Sequence, residues 1–392
     1  MKTIAVIFGG RSAEHDVSIV TAIASIIRPL ELSRKCRVEA VYIAKNGAWF
    51  WDDKLKDIKL FTSGDIERFT ARTHPASVQF DGGLTLTRSS GLAGRKQYRK
   101  IDVVFPAMHG TYGEDGALMG MLEMAGVAYV GCGLEASVLA MNKVLSKQIA
   151  SAHGIPVSKF LSFTSGDLEQ SPADTLQCIK KELKFPLFIK PAHLGSSIGM
   201  SRAKDDTELR NGLEVAARYD NAIIVEEAVQ NLVEVTLPIM GNHDLTAAYL
   251  EQPMVQAEDF FDFDTKYMNQ SGGKKMGGKG TDSKQGAQGY STIPANIPDT
   301  LYRKAENIGL SVYKALGCSG TARVDMLIDN KTKEVYFNEV NPLPGSLYAH
   351  NWRKKGVSNV ELVIQLVELA EQRAHELQTL STVFSTNFLK QF

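Results

Sequence analysis

Two strand-like runs, Ala322-Arg323-Val324-Asp325 and Tyr336-Phe337-Asn338-Glu339-Val340-Asn341-Pro342, flank a polar turn at Asp329 to Lys333 and read as one hairpin. Residues two apart on a strand share a face, so Arg323 goes with Asp325, and Glu339 with Asn341. Folding the strands back about Thr332 sets Asp325 opposite Glu339 and Arg323 opposite Asn341. Val324, Met326, Tyr336 and Phe337 then help to build the apolar body of the strands. Mg²⁺ takes oxygen ligands and is commonly held by one or two carboxylates plus substrate phosphates. A neighbouring arginine neutralises a transferring phosphoryl group. The pattern is therefore that of a magnesium-phosphate site, and the same residues also fit a surface hairpin with ordinary cross-strand ion pairs.

The chain of 392 residues is long enough for two or three domains with cores of their own. With 44 basic and 44 acidic residues, its bulk charge recruits neither nucleic acid nor membrane. The four cysteines, Cys36, Cys132, Cys178 and Cys318, form no Cys-x-x-Cys pair, which fits a reducing cytoplasm. The apolar run Ile4 to Phe8 is too short for a signal sequence, and no run approaches the roughly 18 apolar residues of a membrane span. The expectation is a soluble intracellular protein.

Ile4 to Phe8 predicts a buried strand, Gly9-Gly10 a turn, and Asp16 to Ile27 a helix with Val17, Val20, Ala24 and Ile27 on one face. Such a strand and helix open many α/β domains, but Gly9-Gly10-Arg11-Ser12-Ala13-Glu14 lacks the three spaced glycines of a dinucleotide site. Val38 to Ala44 and Ile101 to Ala107 continue the sheet, and Trp49 to Lys100 reads as a β-rich insertion with a turn at Asp81-Gly82-Gly83. Gly131-Cys132-Gly133 marks a boundary, followed by a helix over Glu135 to Gly154. Pro186 to Lys190 and Ala222 to Glu226 are strands enclosing a helix over Asp205 to Tyr219, and this middle unit ends near Val229. In the closing helix Ser358 and Glu361 have capping-box spacing, and Leu362, Leu366 and Leu369 share a face. The expected division is 1–133, with its insertion at about 46–100, then 134–229 and 230–392.

Lys190 ends an apolar strand six residues before Ser196-Ser197, within the small-residue loop Gly195 to Gly199. Backbone N–H groups in such a loop close over phosphate oxygens, and the lysine reaches the same anion. Lys143 lies on the helix after Gly133. Glu226-Glu227-Ala228-Val229 follows a strand where exposed backbone can read an adenine edge, with Glu234 in reach of a ribose. Each of these residues also has an ordinary structural reading, as a strand end or a solvated acidic face. Gly273 to Gly280 nearly spells a Walker A loop, but Gly280 stands where Ser or Thr must bind the metal. Asn269 to Gly289 reads instead as a glycine- and lysine-rich loop, either covering an active site or standing in solvent.

Together these pieces resemble the D-alanine–D-alanine ligase family of ATP-grasp enzymes over nearly the whole chain. The resemblance rests on Phe8-Gly9-Gly10-Arg11-Ser12-Ala13-Glu14-His15-Asp16-Val17-Ser18, His109-Gly110-Thr111-Tyr112-Gly113-Glu114-Asp115-Gly116 and Met141-Asn142-Lys143. It continues through Ile189-Lys190-Pro191, Gly195 to Met200, Lys266-Tyr267, Arg323-Val324-Asp325 and Asn338-Glu339-Val340-Asn341. It implies an α/β chain with α+β subdomains, an ATP-grasp fold behind an N-terminal Rossmann-like parallel-sheet domain. By resemblance, Lys143, Lys190 and Ser197 hold ATP phosphates, and Glu226, Glu227, Val229 and Glu234 surround adenine and ribose. Asp325, Glu339 and Asn341 carry two Mg²⁺ ions, with Mn²⁺ as a substitute. Glu14 binds the ammonium of the first amino acid, His109 lies beside that substrate, and Ser196 and Tyr267 link Glu14 to a covering loop that also holds Lys266. Arg323 and the backbone at Gly345 stabilise the oxyanion, and Ser346 and Leu347 bind the carboxylate of the second substrate.

The implied activity is ATP-dependent formation of D-alanyl-D-alanine for peptidoglycan precursors, through an acyl phosphate, by a cytoplasmic homodimer. In the family pattern a short Met-Thr-Ser-like run separates Pro-Gly from Ser-Leu, whereas here Pro344-Gly345 runs straight into Ser346-Leu347. The loop after Tyr267 is also longer and richer in lysine. Both departures leave the ATP machinery intact and keep a different acceptor open, such as D-serine or D-lactate. Tyr267 itself matches the dipeptide-forming branch. A non-catalytic nucleotide-binding module, with Lys274, Lys275 and Lys279 on an anionic partner, would not require the substrate-side Glu14 or Arg323.

Overall fold

The computed structural model describes residues 1–90, 95–253, 291–382, 386 and 388–392. The N-terminal sheet grows from β1 (Lys2–Gly9), whose burial from Ile4 onward matches its unbroken apolar run. β1 pairs in parallel with β2 (Cys36–Ile43), which carries the antiparallel β3 (Trp49–Trp51). The insertion then contributes two short helices, Ile58–Thr62 and Asp65–Arg72, before the meander β4 (Ser77–Phe80), β5 (Leu84–Ser90) and β6 (Arg95–Ile101). The expectation of a β-rich insertion is thus corrected: its first strand belongs to the main sheet and its first half is helical. The expected Asp81-Gly82-Gly83 turn does join β4 to β5. β7 (Val103–Pro106) and β8 (Ala128–Tyr129) complete the order β3-β2-β1-β7-β8.

The helix begun at His15 runs through to Ser33, wound with i→i+5 bonding over Thr21–Ile27. The helix expected over Glu135 to Gly154 is two helices, Leu134–Met141 and Lys143–Ala152. Asn142 breaks it for a local reason: in extended conformation, its side-chain oxygen accepts from the N–H groups of Val144 at 3.1 Å and Leu145 at 3.0 Å. That cap places Lys143 at the very start of the second helix.

β9 (Phe160–Thr164), β10 (Leu187–Pro191), β11 (Ser201–Ala203) and β12 (Ala222–Glu227) form an antiparallel sheet in the order β11-β10-β12-β9. The helices Pro172–Glu182 and Asp206–Ala217 pack their apolar residues on it. β13 (Leu232–Met240) and β14 (Thr246–Ala247) begin a second antiparallel sheet, and β15 (Gln252–Pro253) pairs with β16 (Ser291–Thr292). β17 (Thr321–Asp329) and β18 (Glu334–Asn341) complete the order β14-β13-β17-β18, with the helix Asp299–Ala315 contributing to the same core. In the closing helix, Asn359–Gln378, the capping box forms in both directions, with Glu361 N–H to Ser358 Oγ at 3.2 Å and Ser358 N–H to Glu361 Oε2 at 2.8 Å. Its Leu362 and Leu366 are buried, not against the sheet they follow in sequence but in one core with β1 and β7.

Candidate functional site

The site begins where β1 ends. Gly10 turns the chain, with its N–H on Ile43 O at 2.7 Å, and His15 secures the turn by bonding Gly10 O at 2.6 Å through Nδ1. Glu14 is thereby presented at the mouth of the sheet, and Ser196 Oγ donates to its Oε1. Gly110 gives it room, since a Cβ there would stand 2.7 Å from Glu14 Oε2. Burial and the nearby charge of Glu114 raise the Glu14 pKa, opposed by the Ser196 hydrogen bond and by His109.

Glu114 organises the floor. Its Oε2 accepts from Gly110 N–H at 2.7 Å, and its Oε1 lies 3.7 Å from His109 Nδ1. With the Asn341 amide oriented nitrogen-inward, that nitrogen donates to Glu114 Oε1 at 2.8 Å. Burial alone would deprotonate His109, but the hydrogen bond and charge of Glu114, with the charge of Glu14, outweigh it and raise the His109 pKa. On its other side His109 Nε2 meets Thr21 Oγ1 at 3.1 Å, and Thr21 Oγ1 accepts from Ser346 N–H at 3.2 Å. His109, Asn341 and Ser346, expected from separate motifs, are thus joined through Glu114 and Thr21, with the Glu14–Ser196 pair close enough for its charge to act on His109.

The lysines form a second cluster. Lys143 Nζ donates to Leu194 O at 2.5 Å and lies 3.6 Å from Glu339 Oε2. Lys190 Nζ meets Glu226 Oε2 at 2.6 Å and Asn338 Oδ1 at 3.4 Å. Glu226 and Glu227 are consecutive on β12 and so point to opposite faces: Glu226 turns inward to the lysines, while Glu227 Oε1 accepts from Lys184 N–H at 2.9 Å. Glu234, on β13, is near enough for its charge to help hold the proton on Lys190. Val229 is half-buried just after β12, and Ser197 follows Ser196 in left-handed conformation, at φ 60° and 54° respectively.

The hairpin has the register its sequence predicts at the site end: Asp325 pairs with Glu339 and Arg323 with Asn341. It gets there through a bulge. Nearer the turn Asp329 pairs with Glu334 and Met326 with Phe337, a register that, continued, would set Asn338 opposite Asp325. Asn338 is instead the extra residue, so inward burial passes from Val335 and Phe337 to Val340, and Asn338 and Glu339 both serve the site. Arg323 grips Asp325 with Nε to Oδ1 at 2.6 Å and Nη2 to Oδ2 at 2.5 Å, and stacks 5.1 Å from the Tyr348 ring centre. Burial would raise the Glu339 pKa, but Lys143 and Lys190 reverse this, so it stands as a carboxylate.

Two carboxylates and an amide oxygen on one face suit Mg²⁺, whose remaining octahedral positions go to water and substrate phosphates. Among the described residues no three His, Cys, Asp or Glu side chains gather as a metal cage, so any ion here draws its other ligands from elsewhere. Lys143 and Lys190 flank the same face, where those phosphates would lie.

After Gly345 the chain takes three left-handed residues in succession, Ser346, Leu347 and Tyr348, at φ 52°, 53° and 50°. Non-glycine residues hold such angles only when their surroundings impose them. Here Ser346 is tied to Thr21, and Leu347 and Tyr348 are buried in the core beneath the N-terminal sheet. Lys266 and Tyr267 lie outside the described residues, as does the near-Walker segment. Sequence reading assigned no role to Lys147, Glu114, Thr21 or Tyr348. Lys147 alone carried a local signal, one helical turn beyond Lys143 and so on the same face.

A parallel α/β domain joined to two antiparallel sheets, with Lys190 on one and a carboxylate hairpin on the other, defines an ATP-grasp protein. Family models described as the D-ala D-ala ligase N-terminus and C-terminus match residues 3–132 and 149–368. A D-alanine–D-alanine ligase of Acetivibrio thermocellus is 34% identical, covering 96% of this chain and 97% of its own. One from Chlorobium phaeovibrioides is 35% identical over 94% and 96%. Among solved structures, the D-alanine-D-alanine ligase of Coxiella burnetii superposes with a TM-score of 0.77 at 27% identity, covering 96% of each chain. A D-Ala:D-Ser ligase from Enterococcus faecalis gives 0.76 at 28% identity, covering 94% of this chain and 99% of that one. The chain belongs to the D-alanine–D-alanine ligase family.

Proposed function

We propose that this chain joins two molecules of D-alanine at the expense of ATP, giving D-alanyl-D-alanine, ADP and phosphate. The observation that carries the reading is the Ser196 to Glu14 bond, which holds a buried carboxylate near Glu114 and, through it, Asn341. Its relatives' names support the substrate. Glu14 takes the ammonium of the first D-alanine, and His109 lies beside it. The carboxylate of that D-alanine attacks the γ-phosphorus of ATP, forming an acyl phosphate and releasing ADP. Lys143, Lys190 and Ser197 orient the phosphates, while the backbone at Glu226 and Glu227, with Val229 and Glu234, surrounds adenine and ribose.

Asp325, Glu339 and Asn341 would hold two Mg²⁺ ions, or Mn²⁺, whose charge when bound offsets the repulsion between the reacting anions. The neutral amine of the second D-alanine, its carboxylate on Ser346 and Leu347, attacks the acyl carbon. Arg323 and the Gly345 N–H stabilise the oxyanion, and phosphate leaves as the C–O bond breaks and the peptide bond forms. The role that the resemblance gives Lys266 and Tyr267 is to exclude water that would hydrolyse the acyl phosphate. The enzyme acts as a cytoplasmic homodimer supplying peptidoglycan precursors.

The test is ADP release from ATP and Mg²⁺ with D-alanine, D-serine, D-lactate or L-alanine, the products weighed by mass spectrometry. Turnover dependent on D-alanine, yielding its dipeptide, is expected. Turnover requiring none of these compounds would overturn the reading.

A further inference from the structure

Lys147 is among the largest fully buried side chains of the protein, with 0% of its surface exposed; burial lowers its pKa, and the charge of Glu226 opposes that loss of the proton. Its Nζ lies 2.7 Å from Glu226 Oε1, 3.3 Å from Phe337 O and 3.4 Å from Ser158 Oγ. The other oxygen of the same carboxylate, Oε2, lies 2.6 Å from Lys190 Nζ. One buried anion therefore sits between two ammonium groups, with the charges of Glu339 and Glu234 also acting on Lys190. An interior ion pair is retained only where its geometry and hydrogen bonds offset the loss of hydration. A second cation on that pair is not needed for folding alone.

The asymmetry of the two lysines suggests what the second one is for. Lys147 is enclosed and bonded to three separate elements: β12 through Glu226, β18 through Phe337, and the segment before β9 through Ser158. Lys190 is more open, at 12% side-chain exposure against 1%, and it also reaches Asn338 at 3.4 Å, on the bulge next to Glu339. If Lys190 turned toward a phosphate with no other cation present, Glu226 would be left as an unpaired buried anion and would draw it back.

We propose that Lys147 is a positioning residue, the resident counter-ion of Glu226 that leaves Lys190 free to engage an ATP phosphate. The inference rests on the phosphate role given to Lys190 above. Burial would raise the Glu226 pKa, but Lys147 and Lys190 overcome it and hold it at about 2, so the carboxylate stays charged and needs a partner throughout turnover. The Phe337 contact adds a second consequence: the same ammonium pins β18 next to the Asn338 bulge.

The experiment is titration of the full chain with the non-hydrolysable analogue AMP-PNP and Mg²⁺ by calorimetry, for wild type, K147M, K147R and K147M/E226Q, with thermal unfolding of each. K147M is expected to weaken binding by about tenfold or more, the scale of one displaced charge contact, while its KM for D-alanine stays near the wild-type value. K147R should recover most of the loss. The double variant should bind more tightly than K147M, because no carboxylate remains to retain Lys190. Equal losses in K147M and the double variant, or a lowered Tm with unchanged affinity in K147M, would overturn the proposal and leave Lys147 a packing cation. Should K147M fail to fold, the wild-type crystal structure with AMP-PNP decides: Lys190 on a phosphate and Lys147 still on Glu226 supports the proposal, and Lys190 still on Glu226 overturns it. Wild-type protein that binds AMP-PNP but does not ligate D-alanine would refute the ligase reading separately.

Discussion

Ser196 governs the charge of Glu14 as well as its position. Its hydroxyl bonds the ionised carboxylate, so it opposes burial and Glu114, which favour the protonated form. Glu14 binds an ammonium only when ionised, so affinity for the first D-alanine should fall as pH drops through its raised pKa. Replacing Ser196 with Ala removes a force that lowers that pKa, and the acid limb of kcat/KM for D-alanine should move to higher pH, as read from a pH-rate profile. Glu226 gives the opposite sign. Its folded pKa, about 2, lies below the ordinary glutamate value of 4.5, so the stability it contributes is complete above pH 4.5 and is lost as pH falls toward 2. Glu226→Ala leaves two buried ammoniums unpaired and should cost about 3–5 kcal/mol in urea unfolding at neutral pH, a deficit that shrinks in acid. Which residues sequence could assign follows the same physics. Lys190, Arg323 and Asp325 stand at a strand end or alternate along one strand, so local spacing exposes them, whereas Glu14 is reached only through the family motif that carries it. Thr21 acts only through partners far along the chain, and Glu114 joins its neighbours Gly110 and His109 to the distant Asn341, so no local pattern shows what either does.

Within the elements, the Asn338 bulge decides whether the hairpin carries a site at all. A one-residue slip moves a strand's side chains to the opposite face, and without the bulge Arg323 would face Val340 instead of Asn341. Deleting Asn338 removes the extra residue, so Glu339 should stay opposite Asp325 and Asn341 opposite Arg323, on a straighter strand that has lost the Asn338 contact to Lys190. Since a 1 Å misplacement can cost about 10²-fold, a steady-state assay of that folded variant should show a fall in kcat of about that size. Folding the sequence about Thr332 reaches the correct pairs at the site end, because alternation of polar and apolar residues fixes the face. The bulge itself is not visible there. It depends on Phe337 docking against the preceding unit, with its N–H on Pro156 O at 2.8 Å. The break at Asn142 was legible in principle, since Asn is a strong helix N-cap, but the apolar run around it concealed the boundary.

Across the whole molecule, the chain returns to its beginning. Trp352 and the inner face of Asn359–Gln378 share a core with β1 and the helix after it, so the last segment of the chain helps to hold up the first domain. Linear sequence divides such a chain by its boundaries and does not reveal a closing helix that crosses them. Arg373 fastens the contact, donating to Gly131 O, to Tyr129 O at 2.8 Å and to Ser319 Oγ at 2.8 Å, with its guanidinium 4.4 Å over the Tyr129 ring. Arg373→Ala strands buried carbonyls and should lower stability by about 1–3 kcal/mol. Calorimetry should show one transition shifted down, because both domains share that core.

In the proposed reaction a D-alanine carboxylate is activated by phosphoryl transfer before a second D-alanine attacks it. The most direct test supplies D-alanine labelled with ¹⁸O in its carboxylate and follows the label into the released phosphate. An acyl phosphate requires one ¹⁸O in each phosphate, alongside D-alanyl-D-alanine that has lost one. Phosphate free of label would mean that ATP is cleaved by water, and would contradict the mechanism and the roles given to Glu14, Arg323 and the hairpin.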